Sequence, residues 1–364
     1  MARPDGAEPP ASFDLTVETL NIGAGAAGMV AALAAHEAGQ EVLLVEADAV
    51  PSGSTALSAG LIPAAGTQFQ TEAGIQDNAE RFAQDIQAKA HDENDPDLVA
   101  SMASTAAPVI EWLARDHGLP FSLVTDFDYP GHSRRRMHGL PTRSGQELID
   151  ALRARIETLD VPLICNRRAI RLYSKENRIF GAQLQLPDDS TETIGCARLI
   201  LACNGFGGNR TMVSTHMAEI DNAVWFGHDG NRGEAVAWGQ ALGAATAHLG
   251  AYQGHGNVAH PHGLLITWAT MTEGGFQVNR AGARFWNETR GYSEAARVVL
   301  AQPDGEAISV FDARIAAIAR QFADFCEAAA QGAVVVADTF EEIEAQFALP
   351  AGAETRCGWF TNPT

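Results

Sequence analysis

The chain has 364 residues, and at about 150 residues per domain that length suggests two domains with ample material for a core. Hydrophobic residues make up 46% and charged residues 19%, with 35 glycines and 16 prolines, a globular composition rich in tight turns that excludes a disordered or collagen-like chain. Lys and Arg number 25 against 45 Asp and Glu, and the formal charge of -20 repels nucleic acid and anionic membrane, so a small or cationic partner fits better. Cys165, Cys196, Cys203, Cys326 and Cys357 are odd in number and contain no C-x-x-C pair. That argues against a disulfide framework or a zinc ribbon and for a reducing compartment.

In chain order, residues 1–16 are rich in Pro, Ala, Asp and Glu and lack the basic start and apolar core of a secretory signal, so they read as a disordered tail. No stretch reaches the ~18 apolar residues that a membrane helix needs. The run beginning at Gly23 is broken by His36 and Glu37. The expectation is a soluble, cytoplasmic protein that inserts in no membrane.

Val17 to Ile22 reads as a strand, followed by Gly23-Ala24-Gly25-Ala26-Ala27-Gly28, a small-residue helix from Met29 to Ala38 ending at Gly39, and a second strand, Glu41 to Val45, that stops at Glu46. Strand, glycine turn, helix, strand and acid is the order that a dinucleotide site needs. Gly23 allows the tight turn, Gly25 lets a pyrophosphate approach the backbone, and Gly28 lets helix pack on strand. The helix dipole favours the phosphate charge, and Glu46 is placed to accept the adenosine ribose hydroxyls. An acid there favours an unphosphorylated ribose over NADP and leaves NAD and FAD open. The run Ser52-Gly53-Ser54-Thr55-Ala56-Leu57-Ser58-Ala59-Gly60 is either a surface loop or backbone that lies against a flat ligand.

Helical patterns at Asn78 to Ala90, Asp97 to His117 and Gly145 to Thr158 predict scaffolding helices packed on a sheet. Between them lies a basic cluster, Arg134-Arg135-Arg136 with His132, His138 and Arg143. It is either a solvated loop or a device that steers an anionic substrate. Leu163 to Tyr173, Ile179 to Leu186 and Thr191 to Leu201 read as strands joined by turns at Asn177 and Pro187-Asp188-Asp189. No repeat occurs at solenoid spacing.

From here the chain resembles the fumarate reductase and succinate dehydrogenase flavoprotein family, with flavocytochrome c and 3-ketosteroid dehydrogenase relatives. The resemblance is carried by the first glycine motif and by Leu199 to Asn209, which is similar to the family's second glycine-rich strand end. It is carried also by Gly227-His228-Asp229-Gly230 with Gly233-Glu234-Ala235, by His260-Pro261 with Leu265-Ile266-Thr267, and by Val278-Asn279-Arg280 through Asn287-Glu288, similar to the family's VNRxGxRFxNE. It implies an α/β fold: a Rossmann-like FAD-binding domain with an inserted small antiparallel sheet over 17–254, and a partial α+β substrate clamp over 255–364. The implied cofactor is FAD, lined by Gly23, Ala24, Gly25, Ala26, Ala27, Gly28, Glu46, Ala47, Ser54, Thr55, Ser58, Ala59, Gly60, Ala169, Ala202, Cys203, Asn204, Gly205 and Asp229. Thr55 stands where membrane-bound members carry the covalent histidine, which implies non-covalent FAD.

The implied chemistry is hydride transfer between flavin N5 and an activated alkene, dicarboxylate-like or enone-like. His260 and Thr267 polarise the carbonyl or carboxylate. Tyr292, four residues after Glu288, is the proton donor if a neighbouring cation lowers its pKa, with Arg290 as the competing candidate. Thr267 is followed by Trp268 where the family has a glutamate, which favours a bulkier or less anionic substrate. His255, His260 and His262 lack the cysteine or carboxylate support of a metal site, so no metal is expected. Arg284 is expected to pair Glu288. With no C-x-x-C-H haem motif, a separate electron donor or acceptor is expected. The family's glycine-rich closing segment is not found before Cys357 to Thr364. The expectation is therefore a truncated chain or a site completed differently, with a degenerate flavoprotein that binds the dinucleotide without catalysis as the alternative. Amine or hydroxy-acid oxidation fits the clamp motif less well.

Overall fold

The computed structural model describes residues 7–125, 129, 131–176 and 178–353. The Asn177 turn, the Cys357 to Thr364 stretch and the first six residues lie outside the described residues. The chain divides into two compact units, Met1–Val213 with Gly227–Ala247, and Ser214–Phe226 with His248–Thr364.

The first unit opens with β1 (Leu15–Ile22), α1 (Ala26–Glu37), β2 (Val42–Val45) and the short α2 (Gly53–Ala56). Next come β3 (Ile62–Pro63), α3 (Gln68–Glu72), α4 (Ala79–Lys89), α5 (Pro96–Arg115), β4 (Ser122–Leu123), β5 (Met137–Gly139) and α6 (Gly145–Thr158). It continues through β6 (Leu163–Ile164), β7 (Arg168–Lys175), β8 (Arg178–Gln185), β9 (Thr191–Leu201), the first half of α7 (Arg210–His216) and α8 (Glu234–Ala241). The main sheet has the order β6-β2-β1-β9-β8-β7. β1 lies parallel to both β2 and β9, whereas β9, β8 and β7 form an antiparallel meander.

The antiparallel strands thus join the parallel sheet edge to edge through β9. Both faces are covered, as a parallel core demands. On one side Met29 and Leu33 of α1 pack with Ile110 of α5 and Leu152 of α6. On the other, Leu20, Leu172 and Leu184 pack with Trp238 of α8.

Residues 7–16 depart from the expected disorder. The Ala7 amide donates to the Leu172 carbonyl at 3.1 Å, and the Ala7 carbonyl accepts from Ser174 at 2.9 Å. The Phe13 ring packs edge-on to Tyr173, with centroids 5.7 Å apart. It lies over the paired Gly181 and Gly195, where a Cβ on either would come within 2.8 Å of the ring. Two facing glycines form a shelf that composition alone does not reveal.

The basic cluster also splits. Arg134 and Arg135 are exposed, while Arg136 is fully buried. Arg136 and His138, two apart on extended chain, point into one interior. Arg136 Nε and Nη2 donate to the two Asp77 oxygens at 2.9 and 3.1 Å, Nη1 donates to Asp85 Oδ2 at 2.5 Å, and the guanidinium lies over the Phe82 ring. Burial alone would raise the Asp77 and Asp85 carboxyls; hydrogen bonds and the Arg136 charge outweigh it and hold both below the ordinary range. Arg136 is therefore a structural cation and not a substrate-steering one.

The second unit contains a hairpin of β10 (Val258–Ala259) and β11 (Leu264–Leu265), then α9 (Ala269–Thr272), β12 (Phe276–Val278), α10 (Tyr292–Leu300) and β13 (Ile308–Val310), which pairs antiparallel with β12. It ends in α11 (Ala313–Ala319), α12 (Ala323–Ala330) and α13 (Phe340–Gln346). Phe276, Val278, Val310 and Phe340 form one core, and Ile266, Ala319, Phe325 and Ala328 another. Arg284 pairs with Glu288, Nε lying 3.0 Å from both carboxylate oxygens, and Glu288 also accepts from the Gln277 amide at 2.9 Å. The pair locks the start of the turn that leads into α10. No helix among the described residues is long and apolar enough to cross a membrane.

Replacing Arg136 by Met strands the buried Asp77 carboxylate beside the partly buried Asp85 and is expected to cost about 3–5 kcal/mol of stability, read from urea unfolding at neutral pH. Because both carboxyls titrate below their unfolded values, their contribution is complete above the ordinary carboxylate range and fades as pH falls below it. The deficit of the variant should shrink accordingly under acid conditions.

Candidate functional site

At the end of β1 the three motif glycines have separate jobs. Gly23 has a φ of +105°, and a Cβ on it would sit 2.4 Å from the Ala202 carbonyl. A Cβ on Gly28 would sit 1.9 Å from the Gly23 carbonyl. These two are demanded by packing of α1 on β1 and β9. Gly25 is different: a Cβ there would meet nothing nearer than Thr55 Oγ1 at 3.7 Å. Gly53 is nearly as bare, and Gly205 has nothing within 4 Å. Three bare glycine backbones, from the first turn, α2 and the segment after β9, face open space, and contacts of Gly53 with Gly25 and of Ser54 with Asn204 bring them together into an open cradle.

The first turn of α1 is held from several sides. Buried Asn21 donates to the Gly28 carbonyl at 2.6 Å, and Thr55 Oγ1 accepts from the Ala26 amide at 3.2 Å. Glu46 accepts from the Ala24 amide at 2.7 Å and from the Asp48 amide at 3.0 Å, so the acid at the end of β2 is fixed beside the glycine turn. Ala47 follows it, half-buried. The chain between β6 and β7 runs alongside: the Arg167 amide donates to the Glu46 carbonyl at 2.8 Å and the Asn166 amide to the Asp48 carbonyl at 3.0 Å. Ala169 lies two residues beyond, its side chain in the sheet core.

Ser54 Oγ accepts from Asn204 Nδ2 at 2.8 Å and from Asn231 Nδ2 at 3.0 Å, which leaves its hydroxyl proton free to donate. Ser58 and Gly60 play a different part. Ser58 donates to the Thr55 carbonyl and accepts from the Gly60 amide, while its carbonyl accepts from the Gly145 amide. A Cβ on Gly145 would lie 1.7 Å from the Thr55 carbonyl, so the bare N-terminus of α6 clamps this loop in place. Ala59 is exposed beside them. The Cys203 thiol is pushed up to about 11, by burial first and the Glu234 charge second, and is no nucleophile.

Motif reading passed over three residues here, His228, Asn231 and Glu234. His228 Nδ1 accepts from the Gly230 amide at 3.0 Å, and Nε2 lies 2.7 Å from Asp48, tying the glycine loop before α8 to the end of β2. Asn231 Oδ1 and Glu234 Oε2 are buried with no partner among the described residues. Asp229, which the motif suggested, is exposed, and its carbonyl takes Arg232 Nε at 3.3 Å. The signal for Glu234 was present: it follows Gly233, whose φ is +86°, at the first position of a helix.

In the second unit the four candidate catalytic residues have different surroundings. His260 is two-thirds exposed, with Nε2 3.8 Å from Glu306, which also pairs Arg280. Thr267 is buried, and its Oγ1 lies 3.4 Å from the Ala269 amide at the start of α9. His260 and Thr267 thus engage different partners. Arg290 is exposed at the end of the turn before α10. Tyr292 accepts at its phenol oxygen from Gln253 Nε2 at 2.9 Å, and its ring stacks on His255, centroids 5.1 Å apart at 23°.

The cation expected to lower the Tyr292 pKa is not what the phenol meets: burial raises it, the Gln253 hydrogen bond draws it partly back, and Glu294 raises it further. Burial alone holds His255 down at about 4, so it is neutral. Trp268 Nε1 is buried beside Tyr292 without a hydrogen-bond partner among the described residues.

A doubly covered sheet with parallel β6, β2, β1 and β9, a glycine turn at the start of α1, an acid fixed beside it at the end of β2, and polar atoms orphaned among the described residues define a dinucleotide-binding fold. The FAD binding domain family matches residues 19–363, and the chain belongs to that family, among the fumarate reductase and succinate dehydrogenase flavoproteins. It is 30% identical over 310 residues to the NADH:fumarate oxidoreductase of Klebsiella pneumoniae (strain 342), covering 85% of this chain and 33% of that protein. It is 30% identical over 302 residues to the probable fumarate reductase Ifc3 of Shewanella frigidimarina (strain NCIMB 400), covering 82% and 50%. The open conformation of a flavocytochrome c3 fumarate reductase superposes with a TM-score of 0.80 at 26% identity, over 95% of this chain and 61% of that one. The chain thus spans a third to a half of the length of these curated relatives. The cofactor is FAD, and the open glycines and unpartnered Asn231 and Glu234 oxygens fit it.

The glycines can be told apart by experiment. Gly28→Ala is expected to cost roughly 3 kcal/mol or more of stability through overpacking, seen as a lowered Tm. Gly25→Ala should keep the wild-type Tm of the FAD-free protein while weakening FAD by about tenfold, roughly 1.4 kcal/mol, in a flavin fluorescence titration.

Proposed function

We propose that the chain is the FAD-binding and substrate-clamping part of a flavin-dependent reductase of activated carbon–carbon double bonds, with FAD held non-covalently. The first unit is the FAD domain and the second the clamp. The observation that carries the reading is the cradle of Gly25, Gly53 and Gly205 beside a fixed Glu46, in a chain of fumarate-reductase kinship.

Bound FAD supplies the hydride chemistry at the substrate's double bond. The chain's own residues do the rest. The amides at the start of α1 and the helix dipole hold the diphosphate, Glu46 holds the ribose, and the Ser54 hydroxyl donates towards the ligand. Thr55 is engaged with the Ala26 amide and offers no attachment for a covalent flavin. In the clamp, Tyr292 gives its phenolic proton to the carbon next to the activating group, with Arg290 as the competing donor. His260 and Thr267 donate to the oxygen on which negative charge builds. The phenol is protonated at neutral pH, and the Gln253 hydrogen bond partly offsets the burial that makes it a weaker acid.

The described partners of Tyr292 are Gln253, neutral His255 and Trp268, none of them cationic. An uncharged, flat enone is therefore favoured over a dicarboxylate. A separate protein or soluble carrier, outside any membrane, exchanges the electrons. The differing surroundings of His260 and Thr267 favour a second reading, a flavoprotein that binds FAD without catalysis.

The purified chain should show a flavin spectrum, with the flavin released into the supernatant on denaturation. Once reduced under anaerobic conditions, it should be reoxidised by cyclohex-2-enone faster than by fumarate. Tyr292→Phe should slow that step by about 10²–10⁴-fold. A flavin-loaded chain that reduces neither alkene would establish the binding-only reading.

A further inference from the structure

The segment Gln253-Gly254-His255-Gly256 lies along α10 in strict alternation. A Cβ on Gly254 would come within 2.4 Å of Ala296 Cβ, and one on Gly256 within 2.3 Å of Ala295 Cβ. Glycine is thus required at both positions for the segment to lie against the helix. The Gly254 amide donates to Ser293 Oγ at 3.1 Å and the Gly256 amide to the Tyr292 carbonyl at 3.0 Å, pinning the segment at two points. The intervening residues consequently bracket Tyr292: His255 stacks on its ring and Gln253 Nε2 donates to its oxygen at 2.9 Å. This glycine-histidine run is conspicuous in the sequence.

We propose that Gln253 is a positioning residue for Tyr292: its amide N–H fills one lone pair of the phenol oxygen, so that the phenolic proton is turned outward for donation and the phenol is kept acidic enough to give it up. The proposal rests on the reading of Tyr292 as proton donor. A hydrogen bond donated to the phenol oxygen stabilises phenolate over phenol, so losing it moves the ionisation to higher pH. The titratable and charged groups on the elements packed against the site are His255 on the glycine-histidine segment, Glu294 and Arg297 on α10, Glu219 on the Ala218–Ile220 turn, Glu288 and Arg290 on the turn before α10, and Asp304 on the Pro303–Gly305 turn. Glu219 is taken by the Tyr252 hydroxyl and Glu288 by Arg284. Among the described residues, Gln253 is the donor to the phenol oxygen.

The test compares FAD-loaded wild type, Gln253→Leu, Gln253→Glu and Tyr292→Phe. Gln253 is exposed, so the substitutions leave packing intact, verified by unchanged flavin content and circular dichroism. Ionisation of Tyr292 is read as the ultraviolet difference between each Tyr292-containing protein and its Tyr292→Phe counterpart. It should move to higher pH in Gln253→Leu. With a reduced dye as electron donor and cyclohex-2-enone as acceptor, kcat should fall at least about tenfold, a loss of roughly 1.4 kcal/mol, while KM stays within about twofold, and the alkaline limb of the kcat profile should shift upward with the phenol. Gln253→Glu should be impaired at neutral pH, where its carboxylate captures the phenolic proton, and should recover under acid conditions, where the protonated acid again donates. Unmoved phenol ionisation in Gln253→Leu, or an unchanged kcat profile in both Gln253 variants, would overturn the proposal. Full turnover by Tyr292→Phe would instead remove Tyr292 as the proton donor, and the difference titration would still decide whether Gln253 sets its acidity.

Discussion

The cofactor unit depends on one close approach, the contact of the Gly28 α carbon with the Gly23 carbonyl as α1 crosses the end of β1. Gly23 in turn presses against the carbonyl of Ala202, where β9 leaves the sheet. Strand, helix and second strand therefore meet within van der Waals distance at a point without side chains. The helix N-terminus can face the cradle only because of that, and Asn21, Thr55 and Glu46 then tie its first turn from three directions. A conformational preference for glycine is a small part of this constraint; exclusion of any β carbon is the larger.

Glycine serves two opposite purposes around the site. At 23, 28, 60 and 145 the missing side chain is filled by protein, and the backbone is drawn into contact. At 25, 53 and 205 it is filled by nothing. The second group, with the unpartnered oxygens of Asn231 and Glu234, marks where the molecule leaves room. The second unit uses the first device again at Gly254 and Gly256, where contact with α10 positions side chains in place of a cofactor.

Much of this was legible in the residues because the period of the pattern and the identity of the turn residues carry it. The strand over Thr191–Leu201 and the helix over Gly145–Thr158 have the bounds that their patterns predict, and the glycine turn with its acid stands as spacing suggests. What escaped depended on contacts distant in sequence. Arg136 belongs to a basic run by composition, yet i, i+2 geometry turns it inward to Asp77 and Asp85. Phe13 sits in a Pro- and Ala-rich tail, yet two facing glycines accept its ring. Tyr292 was expected to need a cation, and instead meets a neutral amide delivered by a segment whose glycines give no hint of the helix they touch. Asp229 resembles the motif acid, but the helix begins five residues later and the buried carboxylate is Glu234.

β9 has a further consequence for how the molecule is made. One of its edges pairs with β8, a close neighbour in sequence, and the other with β1, where Asp14 meets Thr193 across 179 positions. Local contacts let the meander assemble quickly, whereas closing so long a loop is slow. During synthesis β1, α1 and β2 emerge early, with one edge of β1 lacking a neighbour until residues 191–201 leave the ribosome. Gly23 has no Ala202 to rest on before then, so the glycine turn completes its packing only after β9 has been made.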